Sequence, residues 1–153
     1  MDEPRWLDEH EALVWKKYRT LRRELQAVQD RQLARDSNLS GADYALLAPL
    51  SESPQGILRA RDLGQEVGWE RSRLSHQIRR MEQRGLVARE SCEDDARGSM
   101  VRLTEQGRAA IVAAAPQHVE TVRRYFLDPL DKDELKAVEI IFDRLLTALA
   151  QDT

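Results

Sequence analysis

From Leu7 to Ala34 the chain contains neither glycine nor proline, and Val14, Tyr18, Leu21, Leu25 and Val28 recur at helical spacing to form one apolar stripe. A helix of that length runs about 42 Å at 1.5 Å per residue. A compact globule of 153 residues has a diameter of only roughly 38 Å, so the helix overhangs its own fold unless another surface covers it. The far terminus poses the same question. Asp131 and Glu134 form a capping-box start, and Leu135, Val138, Ile141, Phe142, Leu145 and Leu149 follow on one face. Two striped terminal helices either pair within one chain or pack on a second copy, and the reach of the first favours a homodimer.

The middle of the chain is punctuated differently. Ser40, with Asp43 three residues on, caps a helix through about Pro49 to Ser51, and the polar stretch 51–56 is a turn-rich connector. A short helix around Arg61 to Val67 ends at Gly68, and a second from Glu70 to Arg84 ends at Gly85. Residues 85–89 and 99–103 read as strands, with a polar hairpin tip over 90–98. Thr104 is a natural N-cap for a helix from Glu105, which Pro116 is expected to kink or break. Two helices across a glycine turn, then a hairpin, is the order of a winged helix-turn-helix. The expected fold is mainly α with a small β-hairpin wing. A DNA-binding domain at 40–104 lies between segments 1–35 and 105–153, which form a helical dimerisation region.

Several classes drop out. A single cysteine, Cys92, excludes an internal disulfide framework and a cysteine-rich zinc finger. His10, His76 and His118 are scattered without metal-ligand spacing, and neither a glycine-rich phosphate loop nor a nucleophile elbow occurs. No enzyme activity, metal or cofactor is expected. Charged residues interrupt the first twenty positions, and no run approaches the roughly 18 apolar residues of a membrane span, so a cytoplasmic, membrane-free protein is expected.

The net charge of −3 hides an uneven distribution. Residues 69–89 hold six arginines against two glutamates, a net of +4, which leaves −7 for the remainder. All four lysines lie outside that window. Arginine's planar fork suits phosphates and guanine edges. On the helix within the window, Leu74, Ile78 and Met81 form one apolar stripe. Opposite it lie Ser72, His76, Arg79 and Arg80, flanked by Arg73 and Ser75, with Arg71 at the helix start. A merely solvated face would normally mix in acids for i, i+4 pairing, so this one is read as a surface for the major groove of double-stranded DNA. In the hairpin tip, Arg97 beside the permissive Gly98 can reach a narrow minor groove, with Asp94 or Asp95 orienting the guanidinium. The rival reading is a helical protein-interaction module that keeps the winged fold and binds no DNA.

The run Asp62-Leu-Gly-Gln-Glu-Val-Gly-Trp-Glu-Arg-Ser-Arg-Leu-Ser-His-Gln-Ile-Arg-Arg-Met-Glu-Gln-Arg-Gly-Leu-Val87, then Asp95-Ala-Arg-Gly98 and Val101-Arg-Leu-Thr-Glu-Gln-Gly107, resembles the MarR (multiple antibiotic resistance regulator) family of bacterial transcription factors. The similarity spans essentially the whole chain, and its most specific element is Asp-x-Arg-Gly followed by Leu-Thr-x-x-Gly. The resemblance implies a homodimer joined through its terminal helices, with reading helices in successive major grooves of a pseudo-palindrome. It places Ser75, His76 and Arg80 at base and phosphate contacts and Arg97 at the wing tip, supported by Asp95 and Gly98. His76 replaces a frequent arginine, which makes its contact sensitive to pH. The resemblance also implies a crevice for a small aromatic acid, with His10, Trp15, Tyr18, Arg19 and Tyr44 as candidate lining. A peroxide-sensing branch carries a cysteine in the first helix after Leu-Asp. Here Leu7-Asp8 is followed by no such cysteine, and Cys92 reads as a bystander thiol.

Overall fold

The computed structural model describes residues 2–91 and 99–152. These residues form six α-helices and three strands: α1 (Glu9–Ser37), α2 (Gly41–Glu52), β1 (Ile57–Arg59), α3 (Ala60–Val67), α4 (Arg71–Gln83), β2 (Val87–Ser91), β3 (Ser99–Leu103), α5 (Glu105–Val122) and α6 (Lys132–Ala150). It divides into two compact units, Gln26–His118 and the described residues of Met1–Leu25 with Val119–Thr153. Cys92, Asp94, Asp95, Arg97 and Gly98 of the expected wing tip lie outside the described residues.

Local cap chemistry sets most boundaries. Asp8 and Glu11 exchange side-chain and backbone hydrogen bonds of 2.8 and 3.0 Å, which starts α1 two residues later than the apolar pattern predicts. The helix then outruns the expected end at Ala34, until Asn38 takes a left-handed φ of 55°. Ser40 and Asp43 close the predicted capping box at 3.0 and 2.9 Å, and Asp131 and Glu134 do so for α6. Gly68, at φ 68°, ends α3 in the left-handed conformation that only glycine adopts freely.

The sheet bears out the small β wing and adds a strand to it. The two strands of the wing are joined by a third, β1, in the antiparallel order β1-β3-β2, with Leu58 and Arg89 both opposite Val101. Three residues are too few to display alternation, and β1 lies in the stretch where the pattern showed only the end of a connector. Pro116 also fails to end its helix, for α5 continues to Val122. The carbonyl that Pro116 leaves unbonded belongs to Val112, whose residue is exposed, so water can serve it. A π-helical turn, Arg123–Leu127, follows.

The core lies in the Gln26–His118 unit. Leu33, Leu46, Leu47, Leu50, Leu63, Ile78, Met81 and Val101 are fully buried there, and Leu74, Leu86, Val87, Leu103 and Ile111 join the same cluster. In the other unit, among the described residues, no apolar side chain is buried, and Trp15, Tyr18, Leu21, Ile141, Leu145 and Leu149 are all exposed.

Two features of the winged unit yield predictions. Thr104 Oγ1 donates to the Gly85 carbonyl at 2.6 Å and accepts from the Gly107 N–H at 2.9 Å, which brings the first turn of α5 onto the backbone ahead of β2. A Cβ at Gly107 would collide with the Leu86 carbonyl oxygen and with Leu103 Cδ1. Gly107→Ala therefore destabilises the protein by about 1–3 kcal/mol, less up to about 1 kcal/mol of helix propensity gained, as urea unfolding will measure. Elsewhere the Tyr44 and His118 rings lie against each other, tilted by 33°, with centroids 4.1 Å apart. Burial pushes the Tyr44 phenol above its usual value, with Glu52 adding to it, and pushes the His118 imidazole below its usual value. An imidazole held neutral in the folded state binds its proton more readily once unfolded. Its contribution to stability is therefore complete above the ordinary histidine pKa and is lost on acidification through it. Between about pH 7.5 and 5.5 the unfolding midpoint of the wild type should fall. His118→Phe should flatten that fall, and an unchanged slope would refute the assignment.

Candidate nucleic-acid interface

Helix α4 is mounted by its back. Leu74, Ile78 and Met81 are 5%, 1% and 0% exposed, as the stripe predicts, and Gln77 is buried among them. Opposite, Ser72, His76, Arg79 and Arg80 are all exposed, as are Arg71 and Arg73. Gln83 also faces outward, one turn beyond Arg79. The sequence reading passed over it because Gln83 sits next to the closing glycine turn, where it reads as part of a helix end. Glu70, at the N-cap, makes no side-chain capping bond, so the first-turn N–H groups keep their affinity for anions.

Three contacts refine the predicted roles. Ser75 is half-buried, and Arg89 on β2 donates from Nη2 to its Oγ and to its carbonyl, both at 3.0 Å. The Arg89 N–H also donates to Glu82 Oε2 at 3.2 Å, so one residue of the sheet grips α4 at two points. Arg73 lies over the Trp69 ring with its guanidinium carbon 4.1 Å from the centroid, a cation–π contact that restrains the guanidinium. Ser72 reaches Glu70 only at 3.4 Å.

Beside α4 the strands and α3 enclose a cleft of about 1010 Å³. Arg59, Arg61, Arg71 and Arg89 line it with Trp69, Gln65 and Ser75, over a floor of Leu74 and Ile78, and among the described residues no acidic side chain lines it. Arg59 and Arg61 escaped the sequence reading because they precede the basic window and sit on β1 and at the start of α3. Their convergence with Arg71 and Arg89 is a product of the β1-β3-β2 order. Arg61 also pairs with Asp62 at 4.0 Å, and the four arginines together make a surface complementary to phosphate.

The candidate ligand residues fall in different places. His10, Trp15, Tyr18 and Arg19 are exposed on α1, with Trp15 and Tyr18 in ring contact at 5.3 Å and Arg22 over Tyr18 at 5.9 Å. Tyr44 lies in the winged unit against His118, which the sequence reading did not select. Buried His118 Nδ1 has no hydrogen-bond partner among the described residues. Among the described residues no group of three metal-ligating side chains assembles, and no helix is long and apolar enough to cross a membrane.

Comparison with known proteins places this geometry. A family model described as MarR family matches residues 37–98. The structure is similar to that of Sco3205, a MarR family transcriptional regulator from Streptomyces coelicolor solved in complex with DNA. The TM-score is 0.91 and the identity 39%, over 97% of this chain and 93% of that one. AbsC, a MarR family transcriptional regulator from the same organism, aligns with a TM-score of 0.91 and 36% identity over 97% and 99% of the two chains. PcaV of Streptomyces coelicolor, a transcriptional regulator solved with its natural ligand, aligns at 0.70 and 27% over 84% and 91%. Together with the three-stranded sheet and the exposed arginine face of α4, these likenesses show that the chain belongs to the MarR family of winged helix-turn-helix transcriptional regulators.

Proposed function

We propose that this chain binds a pseudo-palindromic operator in double-stranded DNA as a homodimer, represses transcription by occupying it, and releases it when a small aromatic acid binds. The observation that carries the reading is the outward face of α4, where Ser72, His76, Arg79 and Arg80 stand exposed with their helix fixed from behind. Arg79 and Arg80 supply forks for guanine edges and phosphates, and His76 supplies a shorter contact. Arg59, Arg61 and Arg71 extend the positive surface towards the backbone of the duplex. The sequence assigns Arg97, oriented by Asp95 and turned by Gly98, to the adjoining minor groove. A relative solved in complex with DNA supports DNA binding by this chain.

Residues 1–35 and 105–153 supply the dimer contacts and residues 40–104 the DNA contacts. What supports this is the exposed apolar row on the terminal helices, with Trp15 52% and Leu149 69% exposed in the single chain. Monomers rarely leave so many large apolar side chains in water, and a twofold mate covers them with their own copies. Half-sites one turn apart then require about 34 Å between the two reading helices. The effector acts by favouring a dimer with another spacing. A differential affinity of about 2.7 kcal/mol weakens DNA binding roughly a hundredfold. A relative solved with its natural ligand supports an effector, and Tyr44 against His118 and the exposed Trp15 and Tyr18 support an aromatic one.

Titration of a duplex selected from a random library tests the reading. If each dimer neutralises about six to ten phosphates, affinity falls about 10³–10⁵-fold between 50 and 200 mM salt. A flat response favours the protein-interaction module instead. Arg80→Ala should weaken all duplexes alike, whereas His76→Ala should change which sequences bind. Leu145→Asp with Leu149→Asp should convert a sedimenting dimer to monomer and abolish operator binding while sparing the winged unit's helicity.

A further inference from the structure

Asp43 does more than cap α2. It is 2% exposed, and its carboxylate receives three hydrogen bonds from three parts of the chain. The Ser40 N–H donates to Oδ2 at 2.9 Å, Gln77 Nε2 donates to Oδ1 at 2.7 Å, and Arg84 Nη1 donates to Oδ2 at 2.6 Å. The Arg84 fork continues through Nη2 to the Asn38 carbonyl at 2.8 Å, on the left-handed corner between α1 and α2. Gln77 and Arg84 are two helical turns apart, so they leave the same side of α4 about 10 Å from each other along the axis. One buried carboxylate thus holds α4 at two levels.

We propose that Asp43 is a positioning residue for DNA readout, fixing the rotation and the axial setting of α4 through Gln77 and Arg84. The inference rests on the reading of α4 as the helix that enters the groove. Apolar packing of Leu74, Ile78 and Met81 holds the helix but is not directional. Hydrogen bonds are directional, and a buried carboxylate strongly disfavours any rotation that leaves it unpaired. A 10° turn of α4 moves a side-chain tip by about 1 Å, more than the roughly 0.5 Å within which a contact site must be held. The clamp would therefore show in discrimination between sequences, while phosphate-driven affinity tolerates the movement.

The full-length protein and two variants, Gln77→Met and Arg84→Met, decide it. Both residues lie on a helix whose apolar seat is intact, and Arg84 is partly exposed at the helix end, so folding is retained. A third variant, Asp43→Asn, keeps the shape and removes the charge. Affinities are measured for the selected duplex and for a scrambled one at the same salt. The expected result is a fall of at least tenfold in the ratio of the two affinities, with the salt slope on scrambled duplex unchanged. Equal losses on both duplexes, in step with a lower melting temperature and at a constant ratio, would mean a structural role alone and overturn the proposal. Residual dipolar couplings of the α2 and α4 amides in DNA-free protein give a readout independent of binding. An altered interhelical angle in the variants supports the clamp, and an angle equal to that of the wild type overturns it. A wild-type protein that bound no duplex would defeat the functional reading, and the couplings would still decide the clamp.

Discussion

The seating of α4 by its apolar back is the constraint on which the rest of this molecule depends. Burying three large side chains is worth about 1.5–3 kcal/mol each, so Leu74, Ile78 and Met81 contribute a sum comparable with the whole net stability of a domain. The helix cannot leave its seat without unfolding the winged unit. Because the seat takes one side only, the opposite side is free to carry whatever chemistry function demands. Arg79, Arg80, His76 and Ser72 occupy positions that packing does not constrain.

The charge pattern follows from the same division. A chain with a net charge of −3 is not drawn to polyanions as a whole, and its attraction must be concentrated. The fold concentrates it in two steps. Sequence places six arginines in the window 69–89, and the antiparallel sheet then adds Arg59 and Arg61 to Arg71 and Arg89 around one cleft. Within a Debye length of about 8–10 Å such a cluster acts as a local positive surface, and the acidic remainder beyond that distance is largely screened.

Features decided within a few residues were legible from the sequence. The capping boxes at Ser40 and Asp131, the glycine stops at Gly68 and Gly85, the Thr104 cap and the α4 stripe are all local chemistry. Features that depend on distant partners were not. β1 is a strand only because β3 pairs with it, and three residues carry no periodic signal of their own. Ser75 looked like a free hydroxyl, yet Arg89, fourteen positions away, holds it. Asp43 read as half of a capping box, and its second and third bonds come from Gln77 and Arg84, 34 and 41 positions on. Tyr44 is an aromatic candidate on sequence grounds, while the tilted His118 ring against it lies beyond any local pattern. The face of the site could be read from sequence, and the machinery that orients it could not.

The terminal helices carry the complementary argument. Their ends are defined locally, by Asp8 with Glu11 and by Asp131 with Glu134, but a cap is worth only about 1 kcal/mol. Even a helix of nineteen residues such as α6 draws most of its stability in a protein from packing an amphipathic face rather than from propensity. In the single chain Ile141, Leu145 and Leu149 remain exposed, so the free energy that holds α6 helical must come largely from the surface that covers it. If that surface is a second copy, folding of this unit and association are one equilibrium, and its stability rises with protein concentration. The winged unit has its own core and is not bound by that linkage. On the proposed function, this difference would let a ligand alter the pairing of subunits without loosening α4.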